Sequence, residues 1–217
     1  MQAYAQITKA WRALGYPFSS VTPSFATAIG ASGDRPEALA QLVGIVENGG
    51  QGLATQRIST LEFAKDTPFE TRFTQVSAPA KPLLAPEIAT VVQRLLRDVV
   101  EGGTAKRLAD GLTLPDGRAL DVSGKTGTGD QRFNVYARGR RLIESRKVNR
   151  TATFVFVIGE RFFGTITAYV REPYAAHYDF TSALAVQLLK SLGPALQPLL
   201  ADGQAAGAAG EAKPESR

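Results

Sequence analysis

The run TATFVFVIG, residues 151–159, constrains the fold more than any other stretch of the sequence. β-Branched and aromatic residues fill it almost without interruption, which suits a central strand. Gly159 to Phe162 fits a tight hairpin into a further strand, Phe163–Val170, and Leu120–Thr126 reads as a strand before both. A sheet of this kind needs helices to cover it. The clearest spans Glu87–Val100, where Ile88, Val91, Val92, Leu95, Leu96 and Val99 mark a stripe expected to be buried. Glu101-Gly102-Gly103-Thr104 ends it, and Ala105–Ala109 resumes as a short helical turn.

Other elements follow from local chemistry. Residues 2–14 space Tyr4, Ile7, Trp11 and Leu14 as on an amphipathic helix, and Gly15-Tyr16-Pro17 stops it. Asp34 is placed as an N-cap, with Pro36 just inside a helix running to about Glu47. Leu39, Leu42, Val43 and Val46 give that helix its apolar face, and Asn48-Gly49-Gly50 ends it. Strands are expected near Arg57–Phe63 and Thr71–Ser77, with a turn around Asp66-Thr67-Pro68. A last helix covers roughly His177–Leu192, and Gly193-Pro194 interrupts it before Leu196–Leu200. The small, polar residues after Asp202 predict a disordered tail. Helices, then an antiparallel sheet, then a covering helix indicate an α+β architecture. The expected division is a helical segment 1–20, a domain portion 21–200 and a tail 201–217.

At 217 residues the chain suits one domain or a large piece of one. It has no cysteine, hence no disulfide framework and no thiolate metal site. Its lone histidine, His177, falls at a helix start and is read as a packing or surface residue; no metal site and no cofactor are expected. The N-terminal residues lack the apolar core of a signal peptide, and no run reaches the roughly 18 apolar residues that span a bilayer. The net charge of +5 is concentrated. Arg138, Arg140, Arg141, Arg146, Lys147 and Arg150 face only Glu144 within thirteen residues. This stretch reads as a solvated loop or hairpin tip, since no aromatic platform or nucleic-acid-binding motif accompanies it. Asp110, Asp116, Asp121 and Asp130 are likewise read as solvated loop residues.

The residues with chemistry to offer are SGKTGTGD, Ser123–Asp130. A phosphate-binding loop would need glycine five positions before Gly124, where Ala119 stands, and a helix immediately after, which Gly127-Thr128-Gly129 opposes. The alternative is the Lys-Thr-Gly element of serine acyl-transferring enzymes, carried on a strand that lines an active site. There the lysine offers positive charge, the glycine lets substrate approach the backbone, and the following threonine hydrogen-bonds a carboxylate.

The context of that element resembles the transpeptidase domain of penicillin-binding proteins. The run from Val21 to Gly50 is similar to the family's segment ending in Asn-Gly-Gly, and LLRDVVEGGTAKRL, Leu95–Leu108, to its helix end before the Lys-Thr-Gly strand. SGKTGTGD, NRTATFVFVIG and the Phe163 strand then follow in the family's order. The resemblance implies a partial penicillin-binding-protein transpeptidase fold with flanking helices. It implies that Lys125 and Thr126 belong to the catalytic machinery, and that Lys125, Thr126, Gly127 and Thr128 face the substrate. The Thr128 backbone N–H would contribute to the oxyanion hole. It further implies a peptidoglycan stem peptide and β-lactams as ligands of the intact domain, with work at the cell envelope on the outer side of the inner membrane.

The family's nucleophile motif is missing. No lysine in the sequence has serine three positions before it, and no asparagine has serine or tyrosine two before it. Both motifs precede the Val21–Gly50 segment in the family, so a missing N-terminal half is expected, with membrane attachment only through an anchor on it. The expected function is a fragment of a D,D-transpeptidase that cross-links stem peptides. The segment before Val21 and Thr104-Ala105 lean towards the bifunctional class, in which a glycosyltransferase precedes the transpeptidase. The alternative is a non-catalytic module, or complementing subunit, that binds peptidoglycan peptides; no nucleic-acid partner is expected.

Overall fold

Residues 122–171 build one antiparallel sheet of three strands, into which all the apolar strand runs of that region fold. The computed structural model describes the backbone of residues 2–210 and side chains up to residue 201. In chain order its elements are α1 (Gln2–Ala13), α2 (Pro36–Glu47), β1 (Gln51–Gly52), β2 (Thr60–Phe63), β3 (Thr71–Thr74) and β4 (Lys81–Pro82). There follow α3 (Pro86–Glu101), β5 (Leu112–Thr113), β6 (Ala119–Leu120), β7 (Val122–Tyr136), β8 (Leu142–Ile158), β9 (Phe162–Arg171) and α4 (Ser182–Gly210). The order within the main sheet is β7-β8-β9; β1–β4, β2–β3 and β5–β6 are separate two-stranded pairs.

Alternation along β8 sends its side chains to two covered faces. Phe154 and Ile158 join Ala185, Val186 and Leu189 of α4 in one core, together with Val100, Leu108, Leu112, Leu114 and Val122. Each fully buried large side chain there contributes about 1.5–3 kcal/mol. On the other face α2 lies against β9, so closely that a Cβ on Gly44 would sit 2.6 Å from the Phe163 ring. Glycine at 44 is what lets helix and strand meet.

Both long strands outrun the sequence expectation. Residues 127–136 and 142–150 are glycine-rich, polar or basic, so they show no apolar alternation; yet 127–129 pair with 151–153, and the rest pair with each other from Asp130↔Arg150 to Tyr136↔Leu142. Register shifts occur at Gln131/Arg132 and Val135/Tyr136. β9 pairs only with residues 149–158, so residues 132–147 extend past the three-stranded sheet as a two-stranded arm.

Several local expectations are corrected. Pro36 opens α2, which makes Arg35 the N-cap residue; the Asp34 carboxylate accepts only the Arg35 N–H, at 2.7 Å. Burial there pushes the Asp34 carboxyl above its ordinary range. The α3 stripe is only half covered. Val92, Leu96 and Val99 are partly buried, whereas Ile88, Val91 and Leu95 are each more than half exposed. α1 buries Thr8 alone, whose hydroxyl accepts the Val21 N–H, while Ile7 and Trp11 remain exposed. Finally, α4 starts at Ser182 instead of His177 and does not stop at Gly193-Pro194. Pro194 and Pro198 lie four apart inside it, and the helix is retained because Leu196, Leu200 and Ala201 continue the packing begun by Leu189. Its backbone runs through much of the stretch read as a disordered tail; residues 211–217 lie outside the described residues.

Candidate functional site

Lys125, Thr126, Gly127 and Thr128 lie in the first half of β7, which pairs with β8 along one edge and with no strand along the other among the described residues. Alternation separates them into two sets. Thr126 and Thr128 share a face with Phe154 and Ala152 of β8, and Lys125 and Gly127 take the opposite one.

The two threonines are tied to neighbouring elements. Thr126 Oγ1 lies 2.5 Å from Thr104 Oγ1, in the turn that ends α3. Thr128 Oγ1 accepts the N–H of Ser182, the first residue of α4, at 2.8 Å. Because it is the acceptor in this bond, that hydroxyl keeps its proton to donate. Lys125 is exposed, and its Nζ donates to the carbonyl of Thr126 at 2.7 Å, a bond within its own strand. Gly124, just before it, is sealed: a Cβ there would lie 2.2 Å from the Val155 carbonyl oxygen. At Gly127 and Gly129 a Cβ would meet nothing within 4 Å. The face that carries Thr126 is therefore closed at 124, and the opposite face, which carries Lys125, is open over 127 and 129.

A network of charges holds the end of this segment, and it overturns the reading of Asp130 as a loop residue. Asp130 continues the Thr126, Thr128 face and pairs with Arg150 directly across the ladder, Oδ1 to Nη1 2.6 Å. Arg150 also donates from Nε to the Phe180 carbonyl at 2.7 Å and from Nη2 to the Asp179 carbonyl at 3.4 Å. Lys147 reaches the Asp179 carboxylate at 2.9 Å and the Tyr178 carbonyl at 3.2 Å, with Asp130 Oδ2 3.8 Å away. The hydrogen bond from Lys147 and its charge hold the Asp179 carboxyl below the usual range. These contacts bind residues 178–182, the approach to α4, against the motif strand. The basic stretch is thus not one solvated tip. Arg146, Lys147 and Arg150 are strand residues with partners, Arg146 pairing with Glu172 and lying 4.9 Å from the Phe133 ring centroid.

Thr104, Asp130, Lys147, Arg150, Asp179 and Ser182 were not singled out as site residues from the sequence. Only Asp130 had a signal there: it falls at i+2 from Thr128 and i+4 from Thr126, on the same face of any continuing strand.

A groove of about 830 Å³ lies elsewhere, between the end of α1, α2, the β1–β4 pair and the β8–β9 turn, and none of Lys125–Thr128 lines it. Glu47 on its wall is pushed up by burial, opposed by Arg97 and reinforced by Glu160. His177 is exposed, in a 3₁₀ turn at Tyr174–His177. Among the described residues no group of three His, Cys, Asp or Glu side chains could hold a metal ion, and no helix is long and apolar enough to cross a membrane.

No family model matches the sequence, and no curated protein matches it. Solved structures do match. Penicillin-binding protein 1A from Haemophilus influenzae superposes with a TM-score of 0.60 at 16% identity, over 95% of this chain and 31% of that one. Penicillin-binding protein A from M. tuberculosis, solved as a ceftriaxone acyl-enzyme complex, gives 0.53 at 18% identity, over 85% of this chain and 44% of that one. The chain spans less than half the length of either structure. At these identities the likeness speaks for the fold. The fold is that of part of a penicillin-binding-protein transpeptidase domain.

Proposed function

We propose that this chain is the portion of a peptidoglycan D,D-transpeptidase domain that carries its substrate-facing strand. One observation bears most of the weight: Lys-Thr-Gly-Thr lies at the open edge of β7 in a fold shared with penicillin-binding proteins. In this reading Lys125 supplies positive charge to the substrate and the proton-transfer network, and Thr126 fixes the strand through Thr104. The open space over Gly127 admits the peptide, and Thr128, its oxygen already accepting from Ser182, donates to the substrate carboxylate. The Thr128 N–H serves the oxyanion.

The nucleophile comes from residues beyond this sequence, which contains no Ser-x-x-Lys. The exposed α3 face at Ile88, Val91 and Leu95, on the helix packed beside β7, supports a further segment covering it. The work is placed at the cell envelope, with a stem peptide as substrate and β-lactams as mimics of it.

The test uses the purified chain with a D-alanyl-D-alanine peptide and with fluorescent penicillin. The peptide should bind weakly, Lys125→Ala should abolish that binding, and penicillin should leave no covalent label. Covalent labelling would overturn the assignment of the nucleophile to a missing part. Peptide binding that persists, without turnover, when Ser-x-x-Lys-bearing transpeptidase segments are supplied in trans would favour the non-catalytic binding module.

A further inference from the structure

The proposed function uses β7 up to Asp130 and leaves the far end of the β7–β8 arm unused. Tyr136 pairs with Leu142 across the last rung, and the chain turns through Ala137–Arg141, closed by the Ala137 N–H to the Arg141 carbonyl at 2.8 Å. Arg138, Arg140 and Arg141 all lie in this turn, are exposed and have no ion-pair partner among the described residues. No carboxylate occurs from Tyr136 to Ile143. Beside these arginines three large side chains face solvent: Tyr136 at 57% exposure, Leu142 at 51% and Ile143 at 62%.

We infer that this tip, residues 136–143, docks on the surface of an anionic phospholipid bilayer. Three uncompensated guanidinium groups match a phosphate-rich surface, and Arg hydrogen-bonds phosphate oxygens in pairs. Leu142 and Ile143 choose between kinds of anionic partner. An aliphatic pair offers nothing to a phosphate or uronate polymer, whereas it enters the acyl boundary of a bilayer while flanking arginines stay at the headgroups. Tyr136 suits that boundary too, with an apolar ring and a polar end. The shape agrees, because the tip ends a two-stranded arm projecting past the sheet and meets a flat surface first. This surface is independent of the transpeptidase reading, since none of its residues belongs to the Lys-Thr-Gly-Thr element or to the Asp130 network.

Vesicle co-sedimentation of the full chain tests it, with phosphatidylcholine vesicles made with and without about one quarter phosphatidylglycerol. Binding should require phosphatidylglycerol. The R138S/R140S/R141S variant should weaken it on the order of a hundredfold, at three surface charges lost. The L142S/I143S variant should abolish the part of the binding that survives raised salt. A charge-matched control far from the tip, K9S/K65S/K106S, should change it less than about threefold. Independently, Tyr136→Trp in a Trp11→Phe background should shift its fluorescence to the blue on anionic vesicles. No binding to anionic vesicles, equal losses in the two triple variants, or an unshifted tryptophan would overturn the proposal. Binding to heparin or DNA without binding to vesicles would do the same, and would reassign the tip to an anionic polymer.

Discussion

At the base of the β7–β8 hairpin Arg150 and Lys147 have side chains only 13% and 12% exposed, and they share Asp130, Asp179 and the carbonyls of residues 178–180. At its tip Arg138, Arg140 and Arg141 stand in solvent without an ion-pair partner among the described residues. Residue type is nearly the same in both places and the structural role is opposite. What differs is the register. Across the ladder Arg150 meets Asp130, and β9 and the approach to α4 close around it, whereas β9 pairs with no residue of β8 before Asn149, and the three tip arginines have no ion-pair partner among the described residues. A partly buried pair of this kind cannot lose one member cheaply, because the other keeps its desolvated charge. An exposed arginine loses little.

The largest expected effect tests whether the base is as tightly closed as this contrast requires. Gly124→Ala should lower stability by about 3 kcal/mol, because its Cβ would fall on the Val155 carbonyl oxygen and the Phe154 ring. Gly127→Ala, three residues on in open space, should stay within about 0.5 kcal/mol while weakening peptide binding. Urea unfolding of both variants decides the point, and similar losses would mean the strand is not open at 127.

Next comes the contrast itself. Arg150→Ala should cost about 2–3 kcal/mol, from an ion pair and two carbonyl hydrogen bonds. Arg138→Ala and Arg141→Ala should each stay within about 0.5 kcal/mol. Thermal melts showing equal losses at base and tip would erase the distinction.

A smaller effect appears in acid. The folded-state carboxyl of Asp179 lies below its ordinary 3.8, chiefly through the Lys147 hydrogen bond and then its charge. The unfolded chain therefore takes up this proton first. The stabilisation is present above about pH 4 and is lost as pH falls through the lower folded value. Asp179→Asn should flatten that part of the acid-side stability curve; an unchanged curve would mean the Lys147 contact is not maintained in solution.

The smallest effect is at the tip. Arg140 holds a left-handed backbone, φ 62°, between Gly139 and Arg141. Arg140→Gly should raise stability by about 0.5 kcal/mol, strain relief slightly exceeding the added freedom of the unfolded chain. A loss would show that the Arg140 side chain has a structural role at the turn.

Where side-chain pattern and burial coincide, the elements were legible. The 151–159 run, the Phe163 strand and the Pro36 helix were all expected close to where they stand, and so was the position of Lys125–Thr128 on a strand. The pattern failed where pairing partners replace the core as the source of order. Residues 130–136 and 142–150 satisfy each other's backbone groups and need no apolar alternation, so neither half announced itself. It also failed where an apolar stripe has more width than the fold covers, as at Ile88, Val91 and Leu95.

By itself the sequence determined the strand and helix segments whose burial forces a period, the Lys-Thr-Gly-Thr element, and the lack of Ser-x-x-Lys, for these are properties of near neighbours along the chain. The tertiary structure alone decided which cations are paired and which are left to solvent, which glycine is sealed and which open, and that Thr126 and Thr128 are fastened by Thr104 and Ser182. The Thr104–Thr126, Asp130–Arg150 and Thr128–Ser182 pairs are 22, 20 and 54 residues apart. No local preference specifies such contacts. They exist because packing β8 between its neighbours brings those residues within hydrogen-bond reach.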